Sequence, residues 1–215
     1  ASPRAAGTPA PVLPTRTASA PAARAIALGG STGSPGAVLQ ILRGLPVDYP
    51  LPVLLVVHIN EPFGRAFAEW LDAQLSVRVR YAHDGEPLGG ARDATVLMAP
   101  PGRHLVVERG LLRLDDGPER HSCRPSVDVL FHALARDLGA AALGCLLTGM
   151  GRDGAEGLLA MRRAGAATVA QDEASSVVFG MPREAILLGA AERVLPLHEI
   201  GPALLEVARR ARSLA

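Results

Sequence analysis

Buried-strand patterns and amphipathic-helix patterns alternate along most of this chain. Three continuous apolar runs, Ala25–Leu28, Val53–Val57 and Ala142–Leu147, have the length and residue types of strands buried on both faces. Segments with helical spacing of apolar residues lie between them. The predicted helices cover Ala37–Leu42, Phe63–Leu75, Ser126–Leu138, Ala155–Ala164, Pro182–Leu188 and Glu199–Arg212, and a further short strand covers Ala167–Ala170.

The middle of the chain has shorter apolar segments. Strands are predicted over Val77–Tyr81, Ala94–Ala99, His104–Glu108 and Leu111–Leu114. Arg109-Gly110 separates the last two, which is the spacing of a β-hairpin. Because strands otherwise alternate with helices, the pattern predicts an α/β fold: a three-layer, doubly wound, mostly parallel sheet with an inserted β-hairpin.

Residues 1–23 have a different composition from the rest of the chain. Five prolines and many alanines leave almost no apolar periodicity there, which is typical of a flexible or semi-rigid linker. The segment lacks the apolar centre of a signal peptide. Residues 24–215 are predicted to form one domain, because a chain of 215 residues is long enough for one sizeable core.

The composition argues against some classes of binding partner. Hydrophobic residues make up 48% of the chain and aromatic residues 3%, so the core is aliphatic. A net charge of +1 argues against binding to nucleic acid, which usually needs a basic face. No apolar run is long enough for membrane insertion. Cys123 and Cys145 share no metal-ligand spacing, and we expect reduced thiols in a cytoplasmic protein.

Three polar residues each follow a predicted buried strand. Ser31 lies in Gly29-Gly30-Ser31-Thr32-Gly33, His58 ends the Val53–Val57 run, and Asp153 lies in the glycine-rich segment 147–154. The carboxyl ends of parallel strands carry the sites of open α/β sheets. Serine, histidine and aspartate are the parts of a hydrolytic triad, although the α/β-hydrolases use the order serine, acid, histidine.

Each of these residues also has an alternative explanation. The Ser31 loop is compatible with phosphate binding, His58 with a hydrogen-bonded core histidine, and Asp153 with a cap on the helix that follows it. A dinucleotide site is a further alternative. However, Gly30–Gly36 fits Gly-x-x-Gly-x-x-Gly rather than Gly-x-Gly-x-x-Gly, and His58 stands where a ribose-binding acid is expected, although Glu61 is close.

Several longer strings in this chain resemble one family, the chemotaxis receptor protein-glutamate methylesterase/glutaminases, over most of the chain from about Ile26. The resemblance rests on Gly-Gly-Ser31-Thr-Gly, the strand ending at His58, His104 after Ala99-Pro100-Pro101-Gly102, the segment Arg124–Phe131, the segment Leu147–Gly154 and the segment Val177–Pro182.

This resemblance implies roles for particular residues. Ser31 is the expected nucleophile, His58 the general base and acid, and Asp153 the acid that orients His58. The backbone N–H of Met150 is the expected oxyanion donor, and Thr32 lies beside the nucleophile. The implied substrates are glutamyl methyl esters and particular glutamines on the cytoplasmic helices of methyl-accepting chemoreceptors, with no cofactor and no metal.

The resemblance also implies an N-terminal phospho-receiver domain in the parent protein, which residues 1–23 would link to the catalytic domain. Some positions depart from the family pattern: Val57 precedes the histidine, Ile59-Asn60-Glu61-Pro62 follows it, and Ser34 replaces a usual glycine. These departures affect substrate contacts near the cleft. Two other functions stay open, a nucleotide-binding oxidoreductase domain and a catalytically silent receptor-binding domain of the same fold.

Overall fold

The structure is a computed structural model that describes residues 21–89 and 96–213. In it, short apolar segments form the strands and longer amphipathic segments form the helices. The strands are β1 Ala25–Gly30, β2 Val53–Val57, β3 Val79–Tyr81, β4 Val96–Met98, β5 His104–Glu108, β6 Leu111–Asp115, β7 Ala142–Leu146, β8 Ala167–Gln171 and β9 Arg193–Leu195. The α-helices are α1 Ser34–Arg43, α2 Phe63–Gln74, α3 Val127–Asp137, α4 Ala155–Arg163, α5 Met181–Leu187 and α6 Leu197–Ser213.

Seven strands form one parallel sheet in the order β3-β4-β2-β1-β7-β8-β9. Strand β1 pairs with β2 on one side and with β7 on the other, and all six of its residues are buried. Because the order runs in opposite directions from the β1–β7 pair, the sheet is doubly wound, as the sequence pattern predicts. The β5–β6 hairpin is a separate antiparallel sheet.

Helices cover both faces of the sheet and complete three layers. Ile26 and Leu28 face a core shared with α1, α2 and α6. Ala25 and Ala27 face the opposite core, to which α3, α4, α5 and the hairpin contribute. Small residues suit this second face because α3 lies close to β1: a Cβ built on Gly29 would lie 2.2 Å from a methyl group of Val127.

The structure differs from the sequence prediction mainly at the ends of elements. Strand β3 begins at Val79 rather than Val77, and α6 begins at Leu197 rather than Glu199. Residues 94 and 95 of one predicted strand, and residues 1–20 of the predicted linker, lie outside the described residues. Strand β9 is absent from the prediction, because it has three residues and its Val194 is 46% exposed.

Ala22 and Ala23, at the end of the predicted linker, are partly buried against the core, so the packed region begins slightly before residue 24. Among the helices in the described ranges, none is both long enough and apolar enough to cross a membrane.

Candidate active site

The carboxyl ends of β1, β2 and β7 lie side by side where the strand order reverses. In doubly wound folds the crevice at such a point is the usual ligand site. Ser31 follows β1, His58 follows β2, and the loop after β7 carries Asp153. The structure therefore places the three residues predicted from the sequence around one crevice.

Backbone contacts fix the loop that carries Ser31. The Ser31 N–H donates to the Thr148 carbonyl (3.0 Å), and the Ser31 carbonyl accepts the N–H of Ser34 (2.8 Å) as α1 begins. Gly149 must be a glycine, because a Cβ there would lie 2.9 Å from both the Cβ and the N of Ser31. These contacts hold the Ser31 backbone against the loop after β7.

His58 and Asp153 are directly paired. The Nε2 atom of His58 lies 2.8 Å from Oδ2 of Asp153, with side chains 14% and 2% exposed. The His58 backbone is held too, since its N–H donates to the Gly30 carbonyl (3.1 Å). An ionised carboxylate only accepts hydrogen bonds, so Nε2 carries a proton and, in the neutral ring, Nδ1 carries the lone pair.

Both carboxylate oxygens of Asp153 accept further hydrogen bonds. Oδ1 accepts from the Ser126 hydroxyl (2.7 Å) and the Asp128 N–H (3.1 Å), and Oδ2 accepts from the Val127 N–H (2.7 Å). Burial raises the pKa of Asp153, but the hydrogen bonds from His58, Ser126 and Val127 outweigh it and lower the pKa below its usual value. Asp153 is therefore ionised at neutral pH.

Asp153 caps a helix, but not the one that follows it in sequence. The N-cap of α4 is Gly154, with φ 90° and no side-chain cap. Asp153 instead receives N–H groups from the first turn of α3, beside Ser126, the N-cap residue of that helix. The capping alternative is thus partly right about Asp153 and wrong about the helix. The Asp153 carboxylate therefore caps α3 and bonds to His58 at the same time.

Cys123 lies beside the other ring nitrogen of His58, a contact that the sequence analysis missed. Its Sγ is 3.6 Å from Nδ1 of His58, and it also contacts the His121 carbonyl at 3.3 Å. Burial and the charges of Asp153 and Glu119 raise the Cys123 pKa to about 11. Within the described residues, no hydrogen bond joins the Ser31 hydroxyl to His58. Both cysteines of the chain are free thiols.

Two buried polar side chains connect the loops around the crevice. The Thr148 hydroxyl lies 3.0 Å from the Thr32 carbonyl and accepts the Val178 N–H (2.9 Å). Gln171 accepts the Thr148 N–H (2.9 Å) and donates to the Ser175 carbonyl (2.8 Å). These contacts join the loops after β1, β7 and β8, so Thr148 and Gln171 are candidates for positioning that the sequence analysis did not name.

Met150 and Thr32 lie at the mouth of the crevice. Both are exposed, and Met150 is 72% exposed. The Gly149 carbonyl accepts the N–H groups of Gly180 and Met181, which fixes the peptide before Met150. The Met150 N–H has no acceptor among the residues that the structure describes, so it is available to a ligand.

Other histidines of the region have structural partners. His104, part of one family string, is buried between the Ser126 N–H (3.1 Å) and the Pro118 carbonyl (3.1 Å). His121 lies 3.0 Å from Asp128, which is fully buried. Two groups of possible metal ligands thus occur in the described ranges, His58/Cys123/Asp153 and His121/Asp128/Asp153, each with ligand atoms within 4.8 Å. Sequence spacing did not predict them, because their members come from distant segments.

The fold and the crevice define a doubly wound α/β domain with a hydrogen-bonded histidine–carboxylate pair at its switch point. A sequence model of one family, described as CheB methylesterase, matches residues 26–204. This chain belongs to the CheB methylesterase family.

Relatives and a solved structure agree with this assignment. The chain is 50% identical over 184 residues to "protein-glutamate methylesterase/protein-glutamine glutaminase 2" of Anaeromyxobacter dehalogenans, covering 86% of this chain and 53% of the relative. It is 47% identical over 183 residues to "protein-glutamate methylesterase FrzG" of Myxococcus xanthus, covering 84% and 54%. The chain spans about half the length of these curated relatives.

The crystal structure of the Thermotoga maritima CheB methylesterase catalytic domain superposes with a TM-score of 0.80 at 31% identity. The match covers 86% of this chain and 99% of that domain. The match therefore spans nearly all of that domain, and the expected fold is confirmed.

Proposed function

We propose that this domain hydrolyses glutamyl methyl esters on chemoreceptors, and deamidates particular receptor glutamines, in the cytoplasm. Ser31 is the nucleophile, His58 the base and Asp153 the orienting acid. The observation that carries the proposal is the hydrogen-bonded His58–Asp153 pair at 2.8 Å, beside a serine loop held by the backbone of Thr148. The names of the relatives supply the substrate class.

In this proposal the two nitrogens of His58 have different tasks. Nε2–H is committed to Asp153, so Nδ1 is the nitrogen that takes the Ser31 proton. Because catalytic hydrogen bonds often tighten only when substrate binds, the absence of a Ser31–His58 bond is compatible with this role. Asp153 stabilises the imidazolium that results, as its lowered pKa keeps it ionised.

The reaction then follows in two halves. The Ser31 oxygen attacks the side-chain carbonyl carbon while its proton passes to Nδ1 of His58. Nδ1 returns the proton to the leaving methoxide or amide nitrogen, which departs as methanol or ammonia and leaves a glutamyl ester on Ser31. Water attacks that ester with His58 again as base, which releases glutamate. The N–H of Met150, and that of Thr32 beside the nucleophile, are the proposed oxyanion donors.

The test is methanol release from methylated receptor. The wild-type domain should release methanol and Ser31→Ala should not. Ser34→Ala, at the first residue of α1, is the comparison variant. The Ser34 hydroxyl bonds to the Ser31 carbonyl (2.5 Å) and takes no part in the proposed proton transfer, so its loss should cost far less than that of Ser31. A domain that binds receptor without turnover would favour the silent receptor-binding alternative. The family assignment argues against the oxidoreductase alternative.

An N-terminal receiver domain is a further part of the proposal, supported by relatives about twice as long as the matched region. Residues 1–23 would then be the linker to it. We expect the present chain to be active without a phosphodonor. A longer form with a receiver domain should be slower by roughly 5–150-fold until acetyl phosphate is added, the range of a typical coupling energy. Equal basal rates would contradict receiver control.

A further inference from the structure

We propose that Nδ1 of His58 and Sγ of Cys123 form a binding site for a thiophilic divalent cation, represented by Zn²⁺, and that the bound ion inhibits the enzyme. The binding half of this inference is independent of the activity, whereas the inhibition half rests on the proposed function.

The separation of the two atoms fits zinc. Zn²⁺ binds histidine nitrogen at about 2.0–2.1 Å and cysteine sulfur at about 2.3 Å, so tetrahedral geometry places the two ligand atoms about 3.6 Å apart. Nδ1 of His58 and Sγ of Cys123 are 3.6 Å apart. The separation of the two atoms is therefore the one that a shared zinc ion requires.

The second nitrogen of the ring is arranged as in metal sites. A histidine that binds a metal usually donates its other N–H to a carboxylate, which fixes the tautomer and makes the binding nitrogen more basic. Asp153 has this position on Nε2 of His58 at 2.8 Å. Its other contacts, to Ser126, Val127 and Asp128, keep it there without direct coordination of the ion.

The site is accessible enough to admit an ion. His58 and Cys123 are both half-buried, so water can complete the coordination around two protein ligands. On binding, the Cys123 thiol loses its proton to solvent, the thiolate bonds to the cation, and Nδ1 donates its lone pair. The lone pair that would accept the Ser31 proton is then occupied, which is why the bound cation inhibits hydrolysis.

The choice of cation follows from the ligands. Sulfur and imidazole nitrogen favour Zn²⁺ and its neighbours, whereas Mg²⁺ and Ca²⁺ prefer oxygen. Zn²⁺ should thus inhibit methanol release reversibly, with recovery on chelation, and the same concentration of Mg²⁺ should not. Removal of a group that supports a metal typically costs 10–100-fold in affinity, and loss of the sulfur ligand should raise the half-inhibiting Zn²⁺ concentration at least tenfold.

The decisive experiment measures binding without activity. Co²⁺ added to the intact chain should produce the near-ultraviolet absorption of a thiolate–cobalt bond. Cys123→Ser and His58→Gln should lose that absorption. Cys145→Ala is the matched control, because this second thiol is fully buried in β7 and should leave the absorption unchanged. Absent absorption in the wild type, or absorption that persists in Cys123→Ser, would overturn the site.

Inhibition is then scored with each variant relative to its own rate without zinc. Weaker inhibition of Cys123→Ser with unchanged inhibition of Cys145→Ala supports the proposal. Equal inhibition of Cys123→Ser and wild type overturns it. Cobalt binding through Cys123 in a domain without esterase activity would support the site and reject the proposed function, so the two failures are distinguishable.

Discussion

The side of the crevice with the proposed nucleophile, Ser31, and the side with the proposed acid, Asp153, are held in different ways. Ser31 is fixed through its backbone, to Thr148 and Ser34, and its hydroxyl has no hydrogen-bond partner in the described part of the chain. Asp153 is fixed through its side chain, which accepts hydrogen bonds from His58, Ser126 and two backbone N–H groups. The Ser31 hydroxyl is thus free to react, whereas both oxygens of the Asp153 carboxylate already accept hydrogen bonds.

This difference determines whether a substitution affects only the reaction or also the stability of the fold. A side chain without partners contributes little to the folded state, so its loss should affect the reaction alone. A buried carboxylate with several partners contributes to both, because each donor left without an acceptor costs free energy. We therefore expect substitutions on the two sides of the crevice to have similar consequences for turnover and different consequences for folding.

The largest expected effect is on turnover. Ser31→Ala should lower methanol release by several orders of magnitude, and Asp153→Asn by about 10⁴-fold, the loss found when the acid of a triad is removed. The proposed mechanism makes the residues act as one unit, so the double variant should be about as slow as Ser31→Ala. A further large decrease in the double variant would show that Asp153 acts separately.

The next effect is on stability. Asp153→Asn should lower the free energy of unfolding by about 1–3 kcal/mol, because it removes an acceptor from buried donors at the start of α3. Ser31→Ala should change it by less than about 0.5 kcal/mol. Urea unfolding of the two variants measures the contrast. Equal losses in both would remove the distinction between the two sides.

A smaller effect is expected at Ser126, which supports the acid side only. Ser126→Ala removes the cap of α3 and one donor to Asp153, and should cost about 1 kcal/mol of stability. Turnover should fall by less than tenfold, since His58, Val127 and Asp128 still hold the carboxylate. Ser122→Ala, an exposed neighbour, is the control. A loss as large as that of Asp153→Asn would make Ser126 part of the central unit.

The smallest expected effect is that of chelation. Neither side of the crevice needs a metal for the proposed reaction, so exhaustive dialysis against a chelator should leave turnover undiminished. Turnover measured before and after dialysis, with Zn²⁺ added back, provides the check. A loss of activity that zinc restores would contradict the triad mechanism and also the inhibitory role proposed for the His58–Cys123 pair.

The sequence predicted the backbone of this crevice better than its side-chain contacts. The apolar runs of β1, β2 and β7 are continuous, so their strands and the polar residues after them could be recognised. Strand β9 could not, because a three-residue edge strand with an exposed valine has no distinct pattern. Residue types near strand ends were sufficient to select His58 and Asp153, and the structure pairs them.

The partners of Asp153 and His58 could not be predicted, because tertiary packing determines them. Ser126 begins a predicted helix and caps α3 in the structure, but its hydroxyl also donates to Asp153, 27 positions along the chain. Cys123 is 65 positions from His58 in the sequence and adjoins it only in the folded chain. The local pattern of apolar and polar residues does not predict contacts between such distant positions.

Because Asp153 contacts both His58 and the start of α3, the orientation of His58 depends on the first turn of α3 staying folded. The amide protons of Val127 and Asp128 are covered by its carboxylate, so they can exchange with deuterium only when that contact opens. Where the carboxylate itself moves away from α3, Nε2 of His58 is released as well. Exchange at these two backbone amides, which the proposed reaction does not use, therefore sets an upper limit on how often the Asp153 carboxylate leaves α3 and His58 together.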